Sequence, residues 1–141
     1  MKHRESEIRR KVRESVVKAA EKGEDLTQST REISRTAMET AMSKVEPTKE
    51  NIEETARDIV RGVSDGAHEA GIKAKELTGH AVEGAVEGVK QAGSGVARFA
   101  QNASEAALDE GKRVKEKIKE VIEDVAKGFK EGIKEARDNR K

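Results

Sequence analysis

The chain has 141 residues, of which 40% are charged, and its formal net charge is only +1. This near-neutral balance gives no electrostatic reason to expect nucleic acid as a partner. The absence of cysteine excludes disulfides, thiolate metal sites and a cysteine nucleophile. Large apolar residues are scarce, so we expect a thin core in a chain of about one domain.

The first eleven residues, MKHRESEIRRK, are charged from the second residue onward and contain no apolar run. A secretory signal peptide needs such a run, and a membrane span needs roughly 20 consecutive apolar residues. No stretch of this sequence comes close to that length. We therefore expect a cytoplasmic protein.

Helix-breaking and helix-capping residues divide the N-terminal third of the chain into two short helices. Gly23 is a helix-stop signal, and Asp25 follows it as a candidate N-cap. Pro47 is the only proline, and Thr48 is a candidate N-cap for the helix that comes after it. The predicted elements are helices at about 4–22 and 25–45 within an N-terminal region 1–47.

From Ile52 onward one period dominates, because apolar side chains recur after four, three and four residues, a cycle of eleven. Of the 24 positions on this hendecad stripe, 22 are apolar, and the other two are Thr78 and Gly111. Eleven residues in three turns is about 3.67 residues per turn, close to a straight α-helix. The period predicts long amphipathic helices over the region 48–141, with a first helix at about 48–92.

The hendecad stripe supplies the candidate functional surface, used either for helix packing or for binding to another surface. Its heavier and most regularly spaced members are the residues that we expect to carry that role. They are Ile52, Ile59, Val63, Ala74, Ala85, Val89, Val96, Val114, Ile118, Ile122, Val125, Phe129 and Ile133.

The Gly-Ser-Gly sequence at 93–95 leaves two continuations open. Two glycines around a serine favour a turn, followed by a helix from about 96 or 102 to 138. The stripe keeps its phase through this segment, which favours one uninterrupted helix instead. The predicted fold class is all-α, either an antiparallel helical hairpin or a three- to four-helix bundle, with self-association left open.

Glycine is frequent within these predicted helices, where each one costs about 1 kcal/mol relative to alanine. Gly84 and Gly88 lie on one flank of the stripe, and their spacing would let two helices approach closely. Chance spacing in a glycine-rich chain is the alternative. Because alanine and glycine bury little area, we expect the helix to form only against a partner surface. That surface would be its own helices, a second copy or a lipid interface.

The residues that carry chemistry in enzymes do not form a recognisable group. His3, His68 and His80 lack the spacing of metal ligands, and no serine or threonine has the sequence context of a nucleophile. The lysines of the C-terminal tail alternate with glutamates and have no aromatic neighbours for base stacking. We predict no enzyme activity and no catalytic, metal or cofactor site, and the sequence gives only weak support to a nucleic-acid partner.

The segments TARDIVRGVSD, HEAGIKAKELTGHAVEGAVEGVKQAG and KEKIKEVIEDVAKGFKEGIKEA resemble the eleven-residue repeats of group 3 late embryogenesis abundant proteins. They are also similar to the lipid-surface helices of exchangeable apolipoproteins and synucleins. The resemblance covers about 48–139 and rests on period and composition. It implies a chain that becomes helical on drying or at membranes and protects proteins and bilayers under water stress. The heavy valine and isoleucine content of the stripe departs from that pattern and favours stable helix packing.

Three functional hypotheses follow from the sequence, and the third of them is a module that binds nucleic acid or a regulatory partner. In the first, the protein is a non-catalytic stress-protective or surface-binding protein whose amphipathic helices pack on membranes, granules or client proteins. In the second, it is a constitutively folded, oligomeric helical-bundle scaffold or assembly subunit. The predicted partners are accordingly a second copy or the chain's own helices, a lipid or membrane surface, and client proteins.

Overall fold

The computed structural model describes residues 6–44, 46–92 and 94–113, and the structural statements below concern that part of the chain. All of its regular structure is helical, and the helices pack on one another. This confirms the predicted all-α helical bundle. The helices are α1 (Glu7–Glu21), α2 (Leu26–Lys44), α3 (Lys49–Glu69), α4 (Ala74–Gln91) and the single turn α5 (Ser94–Ala97), followed by a helical segment at 100–113.

The turn between α1 and α2 forms at the glycine that the sequence marks as a helix stop. Gly23 has a φ of +73°, and the backbone N–H of Glu24 donates to the Ala19 carbonyl oxygen at 3.1 Å. These are the features of a Schellman motif. Asp25 then caps α2, because its Oδ1 accepts a hydrogen bond from the backbone N–H of Thr27 at 3.1 Å. The observed bounds of α1 and α2 agree with the predicted ones to within three residues.

The single helix predicted at 48–92 is wrong, because the chain turns between α3 and α4. Gly71 has a φ of +74°, and the backbone N–H of Ile72 donates to the Ala67 carbonyl oxygen at 2.8 Å. This is the same Schellman motif that ends α1. The turn reverses the chain, so that α4 runs antiparallel to α3 in a second helical hairpin.

The chain turns again after α4, in the glycine-serine region for which the sequence left two continuations open. After the single turn of α5, the helical segment at 100–113 runs back along α4. A Cβ placed on Gly111 would lie 4.0 Å from the Cβ of Thr78, near the start of α4. The turn is therefore present and the uninterrupted helix is not. The predicted continuation of this helix over 114–138 lies outside the described residues.

Equivalent helices of the two hairpins pair in parallel. Along α1 and α3, Arg9 contacts Asp65 and Arg13 contacts Glu69, so both helices advance in the same direction. Helices α2 and α4 pair in the same way. The two hairpins therefore stack as two layers, α1–α2 and α3–α4, and the segment at 100–113 packs on the second layer.

A single thin core runs through both layers. It is built from aliphatic residues and alanine, and no aromatic ring is fully buried within the described residues. Helices α3 and α4 contribute most of this core, six residues each, because each of them packs against two other helices. The largest fully buried apolar side chains are Met38, Ile52, Ile59, Val12, Val16, Val60, Val63 and Val89.

Candidate functional site

Most of the described part of the hendecad stripe lies inside the fold. Five of its predicted members have no exposed surface at all, and they are Ile52, Ile59, Val63, Ala85 and Val89. Ala74 is 6% exposed, and Val96 is half-buried against the same core. The remaining members, Val114, Ile118, Ile122, Val125, Phe129 and Ile133, lie outside the described residues. Over the described part of the chain, the surface against which the stripe packs is formed by the protein's own helices.

The two glycines predicted to allow close approach lie where α4 packs on α2. A Cβ on Gly84 would collide with the carbonyl oxygen of Arg31 and would lie 2.7 Å from the Cβ of Ser34. A Cβ on Gly88 would lie 2.6 Å from the Cβ of Met38. Both distances are far shorter than an ordinary van der Waals contact, so any side chain at either glycine would push the two helices apart.

The same arrangement occurs where α3 packs on α1. A Cβ on Gly62 would lie 2.6 Å from the carbonyl oxygen of Arg9, and one on Gly66 would lie 2.7 Å from the Cβ of Val16. Each residue of this contact lies two hendecads before its counterpart in the α2–α4 contact. The internal repeat of the sequence is thus also a repeat of the helix packing. The low helix propensity of glycine destabilises these helices, and the close packing that glycine permits offsets this effect.

Arginine–carboxylate pairs flank both glycine contacts. The Nε of Arg9 donates to Oδ2 of Asp65 at 2.6 Å, and the two side chains are 35% and 30% exposed. At this exposure the Arg9–Asp65 pair contributes on the order of 0.2–1 kcal/mol to stability, so it matters mainly for the register of the helices. Three such pairs join residues that are 56 positions apart, and they are Arg9–Asp65, Arg13–Glu69 and Arg31–Glu87.

A more deeply buried carboxylate joins the segment at 100–113 to α3. The side chain of Glu110 is 6% exposed, and its two carboxylate oxygens accept from Nε and Nη2 of Arg61 at 2.8 and 3.3 Å. This hydrogen bond raises the pKa of the Arg61 guanidinium above its usual value. Nearby, burial raises the pKa of the Asp58 carboxyl, while a hydrogen bond from Ser6 and the charge of Arg61 partly oppose that rise. These interactions link α3 to the start of α1 and to the segment at 100–113.

An open groove lies between α1 and α2. Its volume is about 660 Å³, which falls in the range of ligand-binding clefts. The floor is aliphatic, with Ile8 and Val12 from α1 and Ile33, Ala37 and Ala41 from α2. Three of these side chains, Ile8, Ile33 and Ala37, are only partly buried. The groove is therefore an apolar surface that the rest of the described chain does not cover.

The rim of this groove carries two lysines and two glutamates. Glu7 and Lys11 form an ion pair of 2.9 Å on the α1 side, and Glu32 and Lys44 lie on the α2 side. The rim has no net charge, so it does not select a ligand by the sign of its charge. An apolar floor with a mixed polar rim can hold an apolar ligand or the apolar face of an amphipathic helix.

Sequence reasoning missed this groove. The hendecad stripe is irregular over 1–47, and its apolar positions there are interrupted by Ser15 and Ser34. The signal that could have found the groove is the four-residue spacing of Ile8 and Val12 on α1 and of Ala37 and Ala41 on α2. Two such apolar pairs on the helices of one hairpin predict a shared face.

The described residues contain no group of three or more His, Cys, Asp or Glu side chains that could hold a metal ion. None of their helices combines the length and the apolar content that crossing a bilayer requires. No protein-family model, curated protein or solved structure matches the chain.

Proposed function

We propose that the protein is a constitutively folded, non-catalytic helical scaffold, the second of the functions considered from the sequence. The observation that carries this proposal is the burial of the stripe residues of α3 and α4 against the chain's own helices. A stripe that already packs internally does not need a membrane or a client protein in order to become helical.

The glycine contacts support the same proposal. For the stripe to bind an external surface, α4 would have to separate from α2 at Gly84 and Gly88, where the two backbones touch. That separation would expose fully buried aliphatic side chains, and each of them contributes roughly 1.5–3 kcal/mol when it is removed from water. The folded arrangement is therefore expected to compete strongly with a surface-bound open form.

The groove between α1 and α2 favours a second candidate function, in which the protein binds an apolar surface while it stays folded. The ligand would be the apolar face of a client helix or the acyl region of a lipid surface, as in the surface-binding role considered from the sequence. This role would use Ile8 and Ile33 of the groove and leave the buried stripe in place.

Circular dichroism and sedimentation velocity on the full chain, with and without anionic phospholipid vesicles, test the first proposal. A folded scaffold should be strongly helical in buffer, melt cooperatively and gain little helicity when vesicles are added. If low helicity in buffer rises sharply with vesicles, the scaffold proposal is wrong and the stress-protective or surface-binding function is favoured. A melting temperature that increases with protein concentration would identify a second copy as the partner.

A pair of matched variants tests the groove. Ile33→Gln places a polar group on the groove floor, whereas Leu108→Gln changes a leucine that is 51% exposed elsewhere on the surface. If the groove binds vesicles, Ile33→Gln should weaken their binding several-fold and Leu108→Gln should leave it unchanged. Equal binding by both variants and the parent chain would exclude the groove as the binding surface.

A further inference from the structure

The open groove between α1 and α2 has a closely packed counterpart in the second hairpin. A shift of four hendecads carries the groove floor onto α3 and α4. The floor residues Ile8, Val12, Ser15, Ile33, Ala37 and Ala41 become Ile52, Ala56, Ile59, Leu77, Ala81 and Ala85. None of these six counterparts is more than 3% exposed. The same face is therefore buried in the second hairpin and lines an open groove in the first.

In the second hairpin this face is the one that packs on another hairpin. Gly62 follows Ile59 by three residues, and each of the two lies on the same side of α3. Gly84 follows Ala81 on α4 in the same way, and both glycines contact the first hairpin. The groove is accordingly a face on which a further helical hairpin can pack. Within the described residues no helix lies over it.

The charges beside the groove on α1 alternate in sign along the helix. Four exposed charged residues share one side of α1, because they follow one another at steps of four, three and four, and they are Glu7, Lys11, Glu14 and Lys18. Glu7 and Lys11 line the groove, and Lys18 lines a smaller cavity that adjoins it near the turn. Taken from the opposite end of the helix, the order of the signs is reversed. A second α1 lying antiparallel to the first would therefore place an opposite charge beside each of these residues.

The groove side of α2 has the same property. Glu32 lies towards the turn between α1 and α2, and Lys44 lies at the end of the helix away from that turn. Both side chains are exposed. In an antiparallel pair of α2 helices, Glu32 of each copy would lie beside Lys44 of the other.

The groove floor distributes its side-chain volume in a matching way. On α1, Ile8 lies at the end away from the turn and the small Ser15 lies closer to the turn. On α2, Ile33 lies towards the turn and the small Ala41 lies at the far end. In antiparallel pairs, each isoleucine would meet a small residue of the second copy. Ile8 and Ile33 are only partly buried within one chain, so both have surface left to bury.

We propose that the groove binds a second copy of this chain, with α1 antiparallel to α1 and α2 antiparallel to α2 across a two-fold axis. A two-fold interface requires one patch that is complementary to itself, and both the charges and the side-chain sizes of the groove meet that requirement. The apolar floors supply affinity, and the charged rims set the orientation. The inference rests on the proposed folded scaffold and names a second copy as the partner of its groove. A client helix or a lipid surface would have no need of the alternating charges.

Sedimentation equilibrium of the full chain in low-salt buffer, from micromolar to near-millimolar concentration, tests the proposal. The parent chain should form a dimer and nothing larger, because a two-fold interface is closed. Ile33→Gln should weaken the dimer several-fold, whereas Leu108→Gln, at a side chain exposed outside the groove, should leave it unchanged. A parent chain that stays monomeric, or that forms open-ended assemblies, would overturn the proposal. Equal dimerisation by Ile33→Gln and the parent chain would do the same.

An exchange of charges tests the antiparallel orientation. Glu32→Lys would place a like charge beside Lys44 of the second copy at two symmetric positions, so it should weaken the dimer several-fold in low salt. Adding Lys44→Glu reverses the second charge of each pair and should restore the parent affinity. Glu105→Lys changes the net charge equally at an exposed site outside the groove and should have little effect. If the double variant dimerises no better than Glu32→Lys alone, the orientation is wrong and the proposal fails.

Circular dichroism of the same samples separates a failure of this proposal from a failure of the proposed function. A strongly helical chain that stays monomeric would contradict the dimer and leave the folded scaffold in place. Low helicity in buffer would contradict both. A monomeric parent chain whose binding to anionic vesicles is lost in Ile33→Gln would also overturn the proposal, because the groove would then belong to a lipid surface.

Discussion

The guanidinium of Arg9 on α1 donates from Nε to Oδ2 of Asp65 on α3 at 2.6 Å, across 56 residues of sequence. Arg31 on α2 donates to Glu87 on α4 across the same separation. Both pairs lie beside glycines that bring the paired helices into backbone contact. The same combination of close-packed glycines and an ion pair therefore occurs in both helix pairs. It fixes the register in which the second hairpin stacks on the first.

The close contact of α4 with α2 predicts opposite effects for two glycine substitutions on α4. Gly88→Ala places a Cβ 2.8 Å from the carbonyl oxygen of Arg35, so it should lower the free energy of unfolding by about 1–3 kcal/mol. Gly79→Ala meets open space in the same helix and should raise that free energy by up to about 1 kcal/mol. Urea denaturation of both variants measures these changes. If Gly88→Ala were also stabilising, the close contact would be absent.

Two fully buried hydroxyl groups of α2 predict stabilising substitutions. Thr30 and Ser34 have no exposed surface, and neither hydroxyl oxygen has a hydrogen-bond partner. An unsatisfied buried hydroxyl costs roughly 1–3 kcal/mol, so Thr30→Val and Ser34→Ala should each raise the free energy of unfolding by about 1 kcal/mol. Thr36→Val, on an exposed side chain of the same helix, is the control and should change it by less than about 0.5 kcal/mol. A loss of stability in Thr30→Val would show that its hydroxyl is hydrogen-bonded after all.

Burial of the Asp58 carboxyl predicts a stability difference that depends on pH. Because burial raises its pKa above the ordinary value of 3.8, the folded state binds the proton more tightly than the unfolded state does. The destabilising effect of Asp58 is therefore absent below its unfolded pKa and develops as the pH rises through the folded pKa. Asp58→Asn removes this effect, so its stability relative to the parent chain should increase between about pH 3 and pH 7. A difference that stays constant, or that falls over this range, would contradict the raised pKa.

The buried carboxylate of Glu110 predicts strong coupling to Arg61. Arg61→Met leaves the buried Glu110 with only Arg113, whose Nη1 lies 4.0 Å from Oε1, and should lower the free energy of unfolding by about 2 kcal/mol. Adding Glu110→Met should recover most of that loss, because both charges are then absent. Asp109→Asn removes an exposed ion pair with Arg113 and should cost less than about 0.5 kcal/mol. Additive effects of the two methionine substitutions would show that the pair does not hold the segment at 100–113 on α3.

The fold class and the first two helices could be predicted from the sequence, but the turn at Gly71 could not. Both turns use the same Schellman geometry. After Gly23 comes Asp25, whose side chain caps α2, whereas the N-cap position of α4 is Lys73, which makes no side-chain cap hydrogen bond. In addition, the stripe passes from Ala70 to Ala74 with its four-residue step intact. Because the eleven-residue period continues unchanged across this turn, the period itself gives no sign of the hairpin.

The sequence alone also could not identify the residues against which the glycines of α4 pack. Gly84 and Gly88 could be recognised as small residues suited to close approach. Their partner, the face of α2 around Ser34 and Met38, has no matching pattern. The constant separation between each glycine and its partner depends on the lengths of two turns as well as on the helices. The groove floor at Ile33 was missed for a similar reason, since its partner residues belong to a different helix.

Hydrogen exchange of the full chain in dilute buffer, followed by mass spectrometry, tests most directly whether the chain's own helices bury the stripe. The account predicts cooperative protection throughout α3 and α4, slowest around Ile59 and Val63, and unchanged by dilution or by vesicles. Rapid exchange throughout both helices in buffer would contradict it. So would protection that appears only when anionic vesicles are added.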